Sequence, residues 1–392
     1  MSNYAQMTPT PNDKIYQAGE DFFSINDILS MAAHPDYRDA DGFARISDFH
    51  FKVGMPIRLR LDNQLVDLSG GVPLSKEGVE RMIFPLLHPL VLKRFLDSED
   101  ADVDGGYEMQ GSQNNYRINL FRDRDGTAAV IRMLNERPPQ IESVGFPNPD
   151  VWQEILELKQ GLVIVTGVAG AGKSTTIASL LRRINETRPV HIITLEDPVE
   201  YIFRSEVALV SQREVNVSVH SFARGLRSAM RENPDIIFVG EIRDQETAAL
   251  ALTAAETGHL VFTTLHTRDA TGALTRLVDM MPAERMSEIS LQLSFSLNYV
   301  IAQKLIPLKD EKGRLPAFEI LRNNSAVENL IRTNNLSQLS TIMGTRKREG
   351  MRLLEHSLLE MVQRGDIDAQ TALAYANDTD AMQRLLDDSP LN

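Results

Sequence analysis

The sequence predicts an α/β protein in which a smaller α+β domain precedes a larger domain with a parallel sheet covered by helices. Short apolar runs alternate with longer amphipathic stretches from residue 161 onward, whereas alternating apolar and polar residues are common before residue 135. A stretch rich in Pro, Gly and Asn, residues 135–150, separates the two regions and predicts an interdomain linker. At 392 residues the chain also exceeds the size of one ordinary core, about 250–300 residues.

The first domain is predicted over residues 21–134. Residues 1–20 are polar and predict a flexible tail. The spacing of Phe22, Ile25, Ile28 and Leu29 predicts a first helix, with Ser24 as a candidate cap. The segment SDFHFKVGMPIRLRLDNQLVDL and the later segment YRINLFRDRDGTAAVIRML predict strands, and residues 75–97 between them predict a helix.

The second domain is predicted over residues 151–376. Its apolar runs LVIVT, VHIITL, DIIFVG and HLVFTTL have the length and composition of buried parallel strands. Residues 284–376 are predicted to be mostly helical, and residues 377–392 to form a loose acidic tail.

Charge and cysteine content exclude several classes of protein. A net charge of −13 disfavours a broad grip on nucleic acid, which requires clustered Lys and Arg. The absence of cysteine excludes disulfides and thiolate metal sites, and it fits a reducing compartment. No secretory signal and no apolar run of about 18 residues is visible, so we expect a cytoplasmic protein without a membrane span.

A phosphate-binding loop is predicted where a strand meets a helix. The segment GVAGAGKS, residues 167–174, fits the pattern G-x-x-x-x-G-K-[ST] directly after an apolar run. Glycines let the backbone surround phosphates, and Lys173 adds a movable positive charge. We therefore expect ATP with Mg²⁺, with Ser174 as a magnesium ligand. The predicted nucleotide-binding residues are Gly167, Gly170, Ala171, Gly172, Lys173, Ser174 and Thr175.

Two carboxylates and a histidine follow other predicted strands of the same sheet. Glu196 follows IITL, Glu241 follows IIFVG, and His266 follows VFTTL. Ligands of open α/β sheets bind beyond the carboxyl ends of the strands, so these side chains are expected near the phosphate loop. Glu241 is predicted to hold Mg²⁺ or its water shell, Glu196 to position the attacking water, and His266 to contact the γ-phosphate.

The ordered segments GVAGAGKST, ITLEDPVEY, LRSAMRENPDIIFVGEIRD and TGHLVFTTLHT resemble the type II/type IV secretion and pilus ATPase superfamily, over about residues 45–375. The resemblance implies a RecA-like ATPase domain after a PAS-like N-terminal domain. It assigns catalytic roles to Glu196, Glu241 and His266, and it implies that Arg117 and Arg132 of the first domain complete the nucleotide site.

Within the superfamily, the chain resembles the ATPases that retract type IV pili. This resemblance implies a homohexameric motor at the inner face of the bacterial inner membrane, with a membrane-embedded platform protein and a paralogous pilus ATPase as partners. Asn115 replaces an arginine of the family pattern, and AVENLIRT, residues 326–333, departs from the family's retraction signature. Two alternatives therefore stay open: the ATPase of a type IVB or type II secretion system, and a nucleotide-gated assembly factor without useful turnover.

Overall fold

The structure is a computed structural model that describes residues 9–37, 45–62, 64–97, 102–110, 115–134, 137–309 and 313–389. These residues form two compact units. The first contains the described residues up to Arg137 together with Pro198–Ile202 and Asn216–Ser218. The second contains the rest from Pro138 onward. The first division, between Arg137 and Pro138, lies inside the predicted linker 135–150.

The first unit is built on an antiparallel sheet with the strand order β5-β4-β3-β8-β7-β6, beside a hairpin of β1 and β2. Phe49, Ile118 and Ile131 are fully buried in its apolar core. The strands are β1 Tyr16–Ala18, β2 Asp21–Phe23, β3 Ile46–Phe51, β4 Arg58–Leu61, β5 Gln64–Asp67, β6 Asp102–Glu108, β7 Asn115–Asp123 and β8 Gly126–Leu134. The helices are α1 Ile25–Ser30, α2 Lys76–Ile83 and α3 Pro89–Asp97.

Local sequence explains the helices of this unit. Ser24 caps α1 and exchanges hydrogen bonds with Asp27, as a capping box does. The helix predicted over residues 75–97 is divided into α2, a 3₁₀ turn at Phe84–Leu86 and α3. Pro85 and Pro89 lack the backbone N–H that a continuous helix needs, which explains the division.

The second unit contains a seven-stranded sheet with the order β11-β10-β12-β13-β9-β14-β15, parallel except for β15. The four predicted apolar runs form β9, β10, β12 and β13, as expected. Its strands are β9 Gly161–Thr166, β10 His191–Glu196, β11 Leu209–Glu214, β12 Ile236–Val239, β13 Leu260–Leu265, β14 Leu297–Pro307 and β15 Arg314–Arg322. Its helices are α4 Pro149–Glu157, α5 Lys173–Thr187, α6 Phe222–Ala229, α7 Gln245–Glu256, α8 Ala270–Asp279, α9 Met286–Ser296, α10 Ser325–Arg332, α11 Leu339–Thr345, α12 Leu354–Arg364, α13 Ala369–Tyr375 and α14 Thr379–Asp387.

Apolar cores lie on both faces of the seven-stranded sheet, which confirms the predicted α/β class. Every residue of β9 and of β13 is buried, because helices cover both faces of a parallel sheet. Among the described residues, no helix is both long and apolar enough to cross a membrane.

Three sequence predictions are corrected by the structure. The expected tail 1–20 contains β1, in which Tyr16 is buried. The region 284–376, expected to be mostly helical, contributes β14 and β15 to the large sheet. The loose tail expected over 377–392 contains helix α14, whose Met382 and Leu386 pack against the neighbouring C-terminal helices. Strand β14 is set by its pairing with β9, which is distant in sequence, whereas β1 pairs with the nearby β2 and α14 packs on the preceding helices.

Candidate active site

The phosphate-binding loop connects β9 to α5, where the sequence predicts it. Lys173 begins α5 and is only 7 % exposed. Its Nζ donates hydrogen bonds to the carbonyl oxygens of Gly167, at 2.9 Å, and Val168, at 3.1 Å. The loop thus folds back on its own lysine, which holds the ammonium group beside the concave backbone that a phosphate would occupy.

Two glycines of the loop are required by its geometry. Gly167 has φ +152°, and a Cβ there would lie 2.4 Å from the carbonyl oxygen of Gln303. Gly172 is the N-cap of α5 and has φ +87°, in the left-handed region that favours glycine. The backbone can therefore follow this path only with glycine at both positions. Of the other predicted contacts, Ala171 is buried, and Ser174 and Thr175 lie half-buried in the first turn of α5.

Gln303 supports the loop from the neighbouring strand, and sequence reasoning missed it. It lies on β14, which pairs with β9, and its side chain is 3 % exposed. Its Oε1 accepts a 2.7 Å hydrogen bond from Oγ1 of Thr176 in α5. A buried, bonded glutamine here fixes the start of α5 relative to the sheet. The sequence feature that could have identified Gln303 is its amide side chain inside the apolar run YVIAQKLIP.

The predicted acidic residues lie at the carboxyl ends of adjacent parallel strands. Glu196 ends β10 and is 7 % exposed. Its Oε1 accepts hydrogen bonds from Oγ1 of Thr194, at 2.6 Å, and from Nε2 of Gln212, at 3.1 Å. These two hydrogen bonds fix the orientation of the carboxylate.

Glu241 and His266 are in contact, as their positions after adjacent strands suggest. Oε2 of Glu241 lies 3.4 Å from Nε2 of His266, and Oε1 lies 2.5 Å from Nη2 of Arg243. Burial lowers the pKa of His266 below its usual value, the charge of Lys173 lowers it further, and Glu241 opposes the shift. Lys173, Glu241 and His266 thus belong to one electrostatic cluster, in which the neutral form of the histidine is favoured. Arg243 was not predicted, although it lies two residues after Glu241 in GEIRD.

The segment that carries His266 is attached to the end of β9. Oγ1 of Thr166 accepts a 3.0 Å hydrogen bond from the backbone N–H of Thr267, and the two threonine hydroxyls lie 2.8 Å apart. Thr166 directly precedes the phosphate-binding loop. Thr166 therefore connects the segment that carries His266 to the start of the phosphate-binding loop.

Arg117 and Arg132 lie on β7 and β8 of the first compact unit, paired in register across the two strands. Arg117 lies 3.6 Å from Asp104 and 3.9 Å from Glu200, whereas Arg132 donates a 2.8 Å hydrogen bond to Asp48. Burial would raise the pKa of Asp48, but hydrogen bonds from Ser47 and Arg132 hold it below its usual value. Both arginines thus have acidic partners, and their approach to a nucleotide stays a prediction.

Comparison with known proteins agrees with this site. The family model for type II/IV secretion system proteins matches residues 99–312. A twitching motility protein of Neisseria gonorrhoeae is 40 % identical over 326 residues, which cover 83 % of this chain and 85 % of that protein. The type IV pilus retraction ATPase PilT of Pseudomonas aeruginosa is also 40 % identical over 326 residues, with coverage of 83 % and 93 %. A crystal structure of the pilus retraction motor PilT with bound ADP superposes with a TM-score of 0.79 at 38 % identity, covering 86 % of this chain and 95 % of that one.

The fold, the site and these matches define the class of the molecule. The chain belongs to the type II/IV secretion system protein family and is a nucleotide-binding, ATP-hydrolysing enzyme of the P-loop class. Within that family it is similar to the pilus retraction ATPases called PilT.

Proposed function

We propose that this chain is a motor ATPase that couples ATP hydrolysis to the retraction of type IV pili. The main support is the 40 % identity to PilT over 83 % of the chain. The clustering of Lys173, Glu241 and His266 supports turnover, because hydrolysis requires more than a loop that holds phosphates.

In the proposed mechanism the loop binds the nucleotide through its backbone N–H groups. The residues assigned to this contact are Gly167, Gly170, Ala171, Gly172, Lys173, Ser174 and Thr175. Lys173 exchanges its two carbonyl partners for phosphate oxygens, and the N-terminus of α5 favours the added negative charge.

The donor set fits magnesium bound together with the nucleotide. Among the residues that the structure describes, no group of three His, Asp or Glu side chains could hold a metal alone. Mg²⁺ in nucleotide enzymes takes only one or two protein oxygens and completes its shell with phosphates and water. The Ser174 hydroxyl and the Glu241 carboxylate are oxygen donors of this kind and would hold the ion. When bound, it would neutralise charge that develops on the phosphates.

Two further side chains act on the reacting atoms in this proposal. Glu196, oriented by Thr194 and Gln212, accepts a hydrogen bond from the attacking water and aims it at the γ-phosphate. The lowered pKa of His266 favours its neutral form, which has one N–H, and in this proposal that N–H donates to the γ-phosphate in place of Glu241. Loss of that phosphate would remove this contact with His266.

We further propose that Arg117 and Arg132 complete the site when the N-terminal domain closes about residues 135–150. An arginine beside a transferring phosphoryl group can contribute about 10³–10⁵ in rate. A homohexamer of such subunits, acting on a platform protein at the inner face of the inner membrane, would convert closure into filament movement. A paralogous pilus ATPase would share that platform.

The first experiment compares surface pili in cells that lack this gene, cells that carry it and cells with a Lys173→Ala copy, by electron microscopy and a twitching assay. Retraction predicts more pili and no twitching in the deletion and in the Lys173→Ala cells, with both restored by the unaltered gene. Bald cells would indicate an extension motor. Normal piliation together with an export defect would instead assign the ATPase to a secretion system.

A further inference from the structure

Asn377 occupies an unusual position in the hydrogen-bond network of the second unit, because all four of its polar groups are used. Its backbone N–H donates to Glu355 at 2.9 Å, and its Nδ2 donates to Glu319 at 3.2 Å. Its Oδ1 accepts from Nζ of Lys304 at 2.8 Å, and its backbone carbonyl accepts from Arg268 at 3.0 Å. One residue between α13 and α14 thus joins four others that are far apart in sequence.

One side of this network ends on the segment that follows His266. Arg268 belongs to that segment directly. Glu319, which is buried on β15, accepts a 2.7 Å hydrogen bond from the backbone N–H of Ala270, the first residue of α8. Asn377 therefore reaches residues 268–270 by two routes, one through its carbonyl and one through its amide.

The other side of the network ends on the C-terminal helices. Glu355 on α12 is buried and accepts from the backbone N–H groups of Asn377 and Asp378. Lys304 on β14 donates to Oδ1 of Asn377 and to the carbonyl of Tyr375, the last residue of α13. Lys304 also follows Gln303, the residue that supports the phosphate-binding loop.

These contacts could satisfy buried polar groups and do nothing more, as most such networks do. The network also connects the C-terminal helices to the segment that follows His266, which favours a role in positioning that segment. The segment from His266 to Ala270 is fixed at one end by Thr166, which precedes the loop, and at the other by Asn377 and Glu319. The anchors hold Thr267, Arg268 and Ala270, which directly follow His266, so a displacement of these residues would reach His266 through the backbone.

We propose that Asn377 is a positioning residue for His266, which it acts on through Arg268 and Glu319. The inference rests on the proposed contact between His266 and the γ-phosphate. It extends that function by giving the C-terminal helices α12, α13 and α14 a part in setting the geometry of the hydrolysis site.

The test measures turnover of the full-length chain with Asn377→Ala, since the truncated side chain loses the bonds to Glu319 and Lys304. We expect kcat for ATP to fall about tenfold, because misorientation of a positioned group typically costs that much or more. The affinity for ADP, which has no γ-phosphate, should stay within about twofold. Met382→Ala is the control, because Met382 is buried among the same helices and has no bond to residues 268–270. It should lower thermal stability and leave kcat unchanged.

A double-variant comparison separates this inference from the proposed function. If Asn377 acts through His266, then Asn377→Ala should cause little further loss of kcat in a His266→Ala background. Additive losses, an unchanged kcat in Asn377→Ala, or an equal loss in Met382→Ala would each overturn the inference. An unchanged kcat in His266→Ala alone would instead contradict the role proposed for His266.

Discussion

The Glu241 carboxylate contacts both Arg243 and His266, and each of its two oxygens has a different partner. Oε1 faces the arginine and Oε2 faces the histidine, and the carboxylate is mostly buried. The surrounding charges explain why an acidic residue is needed: a neutral replacement would remove the carboxylate that balances Arg243 and that opposes the lowering of the His266 pKa.

We expect Glu241→Gln to bind ATP and to lose most of its turnover. The amide keeps the size of the side chain but cannot balance Arg243 or serve as an anionic magnesium ligand. A loss of kcat of about 100-fold or more is expected, in the range for removal of one electrostatic catalytic group. Binding of a fluorescent ATP analogue and steady-state hydrolysis measure the two effects. Glu246→Gln, which removes an exposed carboxylate of α7, is the matched control, and unchanged hydrolysis in Glu241→Gln would refute the assignment.

Glu319 makes the stability of the second unit depend on pH. Burial raises its pKa to about 7, the hydrogen bond from Ala270 opposes the shift, and Asp269 and Glu355 add to it. Lys304 and Arg268 are the cations of the same network. The folded state thus favours the protonated form, whereas the unfolded chain ionises near the ordinary value of 4.5.

The difference between the pKa of Glu319 in the folded and the unfolded chain sets the direction of the pH dependence. The favourable contribution of Glu319 to the free energy of unfolding is complete below about pH 4.5. It is lost as the pH rises through about 7, by roughly 3 kcal/mol. Glu319→Gln mimics the protonated form. Its free energy of unfolding should therefore rise relative to that of the unaltered chain between about pH 5 and about pH 8. Urea unfolding at several pH values measures this gain, and parallel pH curves for the two chains would argue against it.

At the scale of elements, the phosphate-binding loop depends on the contact between β9 and β14. Gly167 lies so close to β14 that a Cβ would meet the carbonyl oxygen of Gln303 at 2.4 Å and Cβ of Ala171 at 3.0 Å. Neither obstacle is the end of a flexible side chain, so the backbone of the loop would have to move.

We therefore expect Gly167→Ala to weaken ADP binding at least about tenfold, a cost of about 1.4 kcal/mol. Gly365→Ala is the control, because Gly365 also has a left-handed backbone, with φ +79°, but no atom lies within 4 Å of its Cβ position. It should cost about 1–2 kcal/mol of stability and leave ADP binding unchanged. Calorimetric titration with ADP compares them, and equal affinities in both variants would contradict the steric explanation.

The strands of the second unit show which parts of the fold could be predicted from the sequence. The runs that became β9, β10, β12 and β13 are short, apolar and bounded by turn residues, so local pattern sufficed. Strands β14 and β15 were missed because β14 is defined by its pairing with β9, more than a hundred residues earlier in the chain. Lys173, Glu241 and His266 could be predicted because they follow strands of one sheet, whereas Gln303 and Asn377 matter only through contacts that no motif encodes.

At the scale of the whole molecule, the net charge of −13 argues against a motor that moves along DNA. We expect ATP hydrolysis rates with and without double-stranded DNA to agree within about twofold at low salt, where electrostatic binding is strongest. A coupled ATPase assay with matched ionic strength makes the comparison. Strong stimulation by DNA would favour a translocase.

The make-up of the smaller unit limits how the protein can be dissected. Two of its segments, Pro198–Ile202 and Asn216–Ser218, come from the chain that otherwise builds the ATPase unit, and Val217 packs against its core. An expressed fragment that stops at Arg137 would lack these pieces and would expose apolar surface that Val217 covers in the intact chain. Fragment studies of this protein should therefore graft both segments back or work with the full-length polypeptide.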